Sequence, residues 1–130
     1  MQQIAPVETV LGYLRGRDAI YLRHIRFEYR TTLLILEGFI NSRLCSQKQS
    51  EMEYEYKLQF INVLAMKLID LDSWQFVNQS SFDEVIHSDW IRQLGGKVTD
   101  EHRHFIVQTY DDVFEVICEN FAFEITQTEC

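Results

Sequence analysis

Proline occurs once in this 130-residue chain, at Pro6. No linker, low-complexity run or internal repeat divides the sequence, so one domain spanning residues 1–130 is expected, with disorder confined to the ends. Cysteine is scarce too. Cys45, Cys118 and Cys130 make an odd set with no motif spacing, which excludes a disulfide framework and a CxxC redox site. No apolar run approaches the 18 residues of a membrane helix and no signal-peptide pattern opens the chain, so a soluble cytoplasmic protein is expected. Positive charge is in deficit, with 12 Lys and Arg against 20 Asp and Glu for a net −8. That balance argues against nucleic acid and against an anionic membrane surface, both of which need clustered cations.

Motifs that announce chemistry are missing as well. GxGxxG, GxSxG and HExxH do not occur, and Gly95-Gly96-Lys97 lacks the upstream glycine and the following Ser or Thr of a phosphate loop. No catalytic residue and no cofactor is nominated.

Aromatic residues are abundant, with nine Phe and six Tyr, and these favour pleated, half-buried surfaces. The C-terminal stretch His102–Ile125 reads as two extended arms joined at Tyr110-Asp111-Asp112. In the second arm Phe114, Val116 and Cys118 share one parity, the period of a half-buried strand. After Glu119-Asn120 the parity slips to Phe121, Phe123 and Ile125, which predicts a bulge in one bent strand wrapping the core.

Upstream, Ile25, Phe27 and Tyr29 alternate with charged residues, predicting strands over about 20–29 and 32–41. Residues 41–51 read as a polar loop. Tyr54, Tyr56, Leu58 and Phe60 alternate with Glu53, Glu55, Lys57 and Gln59, predicting strands through residues 53–71 with a break near Ile61-Asn62; helical spacing of Tyr54, Leu58, Ile61, Ala65 and Leu68 is the competing reading. A short strand is expected over 82–86, then a short helix over 89–94 capped by Ser88 and stopped by Gly95-Gly96. Near the N-terminus, Val7, Val10, Leu11 and Leu14 stand at helical spacing between Pro6 and Gly16 and predict a helix. The expected fold is therefore α+β: a mainly antiparallel curved sheet, sandwich or half-barrel, with an N-terminal helix and one short helix near 89–94.

Few residues suggest a site. Glu51, Glu53 and Glu55 form an acidic row on one strand face, suited to a basic partner or simply to solvent. Trp74, in a connection, is a candidate partner anchor, whereas Trp90 reads as core. His102 and His104 share a strand face as two metal ligands would, although such pairs also occur without metal. Asp111-Asp112 reads as turn chemistry. His87, Ser88 and Asp89 are adjacent and so cannot form a catalytic relay among themselves.

The stretches SDWI (88–91), HRHFIVQTYDDVFEVICENFAFEI (102–125) and YKLQFINVLAMKLID (56–70) resemble small bacterial cytosolic β-rich proteins of unassigned function, some of which act as immunity proteins against secreted toxins. The resemblance implies a protein-binding role and transfers no functional residue. The expected function is thus a non-enzymatic interaction domain, such as an acidic inhibitor masking a basic protein. A carrier of small apolar ligands and a metal-dependent hydrolase using His102 and His104 are the alternatives. A homodimer formed through exposed strand edges is also compatible with long regular strands.

Overall fold

The alternation of apolar and polar side chains is realised as nine strands in a computed structural model, which describes residues 2–46, 53–74 and 79–127. In chain order these are β1 (Gln3–Pro6), β2 (Ile20–Glu28), β3 (Leu33–Ile40), β4 (Tyr54–Ile61), β5 (Ala65–Asp70), β6 (Phe82–Ile86), β7 (Arg103–Gln108), β8 (Asp112–Cys118) and β9 (Asn120–Gln127); a single helical turn, α1 (Asp89–Gln93), follows β6. They form two antiparallel sheets, one ordered β1-β6-β7-β8-β5 and the other β2-β3-β4-β9.

The fold is therefore mostly β, not α+β, and the expected N-terminal helix does not form. Pro6 instead ends β1 opposite Asp83, on an edge strand where a missing amide is tolerated. Thr9 and Gly12 then exchange backbone hydrogen bonds of 2.8 Å across a tight turn, and Gly12 takes φ 75°, a left-handed conformation that no helix continues through. Leu11 and Leu14 reach the core from this irregular segment, while Val10, which a helix would have buried with them, is exposed. Helical spacing was satisfied by residues that pack without a helix.

The parity slip at Glu119-Asn120 has a larger cause than a bulge in one strand. Phe114 and Val116 lie on β8 in the five-stranded sheet, and β9 leaves that sheet to pair with β4 in the other. The break at Ile61-Asn62 is its counterpart, because β4 and β5 also belong to different sheets. The two crossings run side by side. Ile61 opposes Asn120 before the corner and Ala65 opposes Ile117 after it, so one antiparallel ladder bends from sheet to sheet. The Glu119 amide donates to the Ile61 carbonyl at 3.1 Å, the Leu64 amide to the Ile117 carbonyl at 2.8 Å, and the Asn62 side-chain amide to Glu119 Oε2 at 2.7 Å. Asn62 takes the turn with φ 57°. Because both faces now look inward, Phe114, Val116 and Cys118 share a core with half-buried Phe121, Phe123 and Ile125.

Aromatic rings fill that core. Phe60, Phe82, Phe105 and Phe121 interlock at centroid separations of 5.0–6.2 Å, within the range where edge-to-face ring pairs add attraction to burial. A smaller apolar cluster covers the outer face of the five-stranded sheet, where Val85, Ile106 and Val113 meet Ile4, Ile69, Leu71 and Trp74. No helix among the described residues is long and apolar enough to cross a membrane.

Candidate functional site

On this outer face, β7 and β8 place His104 and Glu115 under α1. His104 Nε2 lies 2.8 Å from Glu115 Oε1, and His104 Nδ1 lies 2.7 Å from Ser88 Oγ. The Ile91 amide donates to Ser88 Oγ at 3.1 Å, capping α1. An ionised Glu115 can only accept, so in a neutral ring the proton sits on Nε2 and Nδ1 accepts from the Ser88 hydroxyl. Trp90 closes the site edge-to-face on the imidazole at 5.4 Å, with Lys67 Nζ 4.0 Å from its own ring. Lys67 also stands directly opposite Glu115 across the β5–β8 ladder, which sets a positive charge beside the buried carboxylate.

Serine, imidazole and carboxylate in this order are the parts of a nucleophile relay. Here Ser88, His104 and Glu115 are all buried, and the serine oxygen is committed to the Ile91 amide. The arrangement locks α1 and the chain after β6 onto the sheet. Beside it opens a cleft of about 550 Å³ lined by Glu84, Ser88, Arg92, Thr99, His102 and Arg103. Its cations are already engaged: Arg103 makes a bidentate pair with Glu84 at 2.9 and 3.0 Å, which raises the guanidinium pKa further, and Arg92 pairs with Asp89.

The sequence-predicted residues do not converge. His102 sits just before β7 and accepts from the Thr99 amide at 2.9 Å through Nδ1, whereas both nitrogens of His104 are taken by Ser88 and Glu115. Among the described residues no three His, Cys, Asp or Glu side chains are grouped to hold a metal ion. Glu53 and Glu55 are exposed, and Glu51 lies outside the described residues. Glu55 points out from the four-stranded sheet opposite Phe39, which carries the Arg23 guanidinium 4.0 Å from its ring, so the surface there is mixed in charge. Trp74 is half-buried against Val85, Ile106 and Val113 on the other sheet's outer face. The acidic row and Trp74 therefore occupy opposite sides of the sandwich.

The feature that sequence reasoning missed is the edge strand β2. Among the described residues it pairs only with β3, and Ile25 and Phe27 lie opposite core residues Leu36 and Leu34, on the inward-facing side of the sheet. Yet Ile25 is 46% exposed and Phe27 43%, and Tyr29 beyond the strand end is 85% exposed. Facing inward does not bury them, because β2 is the outermost strand of its sheet. Charge is concentrated here as well. Residues 1–30 hold five arginines against three carboxylates, a net +2, so the remaining hundred residues carry −10 of the chain's −8. Arg23, Arg26 and Arg30 are exposed on or just beyond β2. The start of the strand is fixed by the Tyr110 amide on the Ile20 carbonyl at 2.9 Å and by Tyr21 stacked on Tyr110 at 5.3 Å. The cluster of arginines in the first thirty residues was the signal available in the sequence.

Comparison with protein-family models, with curated proteins and with solved structures found no match.

Proposed function

We propose that this chain is a protein-binding domain whose contact surface is the free edge of β2. The observation that carries the reading is a nine-residue edge strand presenting Ile25 and Phe27 to solvent, with Tyr29 just past its end. Natural edge strands are usually kept short, covered or charged, because a row of unpaired backbone groups is a template for another strand. β2 carries such protection in Arg26, Glu28 and the bulge between Leu22 and His24, yet on its other face Ile25 and Phe27 remain as apolar side chains able to anchor a partner. The rings that a small-ligand carrier would turn toward its cargo are packed on one another here. An acidic surface masking a basic protein is less well supported, since Glu55 shares its patch with Arg23 and Phe39.

The test is a photo-crosslinking amino acid placed at Phe27 and, separately, at the exposed Glu101 in the link before β7. In the cells the protein comes from, protein adducts are expected at Phe27 and not at Glu101. Equal labelling at both positions, or none at either, counts against the reading.

A further inference from the structure

The four-stranded sheet has two outer strands, and they differ in charge. β2 carries Arg23 and Arg26, with Arg30 just beyond, whereas β9 carries the exposed Glu124 and follows directly on Glu119. Arg26 makes a 3.6 Å pair with Glu28, both side chains being well exposed. Resting on the reading of β2 as a contact edge, we propose that its partner is β9 of a second copy of this chain, joined head to tail so that the sheet continues from one molecule into the next.

Direction comes first. Each neighbouring pair in β2-β3-β4-β9 is antiparallel, so β9 runs opposite to β2, and a second copy in the same orientation offers its β2 antiparallel to the first copy's β9. Sidedness agrees as well. With Phe27 set opposite Phe121, Ile25 meets Phe123, and all four belong to the core-facing side of the sheet. The bulge between Leu22 and His24, already present against β3, absorbs one residue and brings Leu22 to Ile125. On the outer side His24 then opposes Glu124, and Arg26 lies diagonal to the same carboxylate, a distance at which long side chains interact across a ladder.

Two-fold alternatives do worse. A β2–β2 pair brings two net-positive edges together, with Glu28 the one carboxylate on each strand, and a β9–β9 pair offers Glu124 no cation on the facing strand. The other sheet has an edge strand with exposed apolar side chains in β5, at Met66 and Leu68, but it has no oppositely charged counterpart at β1. A head-to-tail contact closes into a ring or continues as a filament.

The experiment is sedimentation of the whole chain and of two charge-reversed forms, Arg23→Glu/Arg26→Glu on β2 and Ala122→Arg/Glu124→Arg on β9, with circular dichroism and melting to verify folding. Wild type is expected to rise above its 15.5 kDa monomer mass as concentration increases, and to fall back in high salt. Each reversed form alone is expected to stay monomeric, and an equimolar mixture to regain the wild-type mass distribution, because its edges are again opposite in sign. Phe27→Lys, at a half-exposed ring, gives a second monomeric control should either reversed form misfold. A wild type that stays monomeric to its solubility limit overturns the proposal, as does a mixture that does not recover association. If that monomer still crosslinks through Phe27 to other proteins, the self-association is wrong and the protein-binding reading stands.

Discussion

Tyr56 sits on β4 with its ring stacked 6.2 Å from Phe123 and its hydroxyl buried without a hydrogen-bond partner among the described residues. Burial, with Glu37 adding to it, pushes the phenol pKa up, so the group stays neutral in the fold. An orphaned buried hydroxyl costs about 1–3 kcal/mol. Tyr56→Phe keeps the ring and removes the orphan, and is expected to stabilise the fold by about 1 kcal/mol, read as a higher urea midpoint at unchanged slope. Asp112 is perturbed for a different reason. Partial burial, then Asp111 and Asp70, raise its carboxyl pKa, and Asp70 lies directly opposite it across the β5–β8 ladder. A raised carboxyl binds its proton more tightly in the fold, so its favourable contribution is complete in acid and is lost as pH rises through the folded pKa. Asp112→Asn is therefore expected to melt higher than wild type at neutral pH, with the difference shrinking toward zero below about pH 4. Equal melting temperatures at pH 7 would contradict the assignment.

Two elements depend on single residues. Gly38 on β3 lies where β2 bulges, and a Cβ there would collide with the Tyr21 carbonyl oxygen and come within 3.0 Å of the Arg23 amide nitrogen. Since both are backbone, neither yields by rotating a side chain. Gly38→Ala is expected to cost at least about 2 kcal/mol, seen in denaturant melts. The α1 turn depends on Ser88 in the same way. Ser88→Ala removes a helix cap and also orphans His104 Nδ1, for an expected loss of about 2–3 kcal/mol. Ser88→Thr, which keeps the hydroxyl, is expected to recover most of it.

Alternation makes β2, β4, β7 and β8 legible because it fixes which side chains share a face, whereas β8 and β9 read as one bulged strand and prove to be two strands in different sheets. The same rule read Phe121 and Phe123 as inward before the partner sheet was known. Two kinds of information were not local. The Ser88–His104–Glu115 contacts span 16 and 11 residues and arise from strand register. The exposure of Ile25 and Phe27 depends on β2 being outermost, which no periodicity within the strand encodes. The N-terminal segment failed for a third reason: apolar spacing matched a helix, but Gly12 and Gly16 adopt left-handed φ and the chain turns twice.

For the molecule as a whole, one ladder bent from sheet to sheet and a shared aromatic core join the two sheets, with Arg23, Arg26 and Arg30 clustered along the β2 edge. Burial raises the core thiols, Cys45 to about 11 and Cys118 to about 12, so both are held protonated at neutral pH and little reactive while the fold is intact. What distinguishes this sandwich is a long edge strand that, among the described residues, pairs on one side alone and exposes Ile25 and Phe27. Amide hydrogen exchange, followed residue by residue as protein concentration is raised, tests that claim most directly. Slower exchange confined to residues 20–28 and 120–127 is the predicted result. Exchange in those strands that is indifferent to concentration, or protection that grows along 65–70 instead, would contradict it.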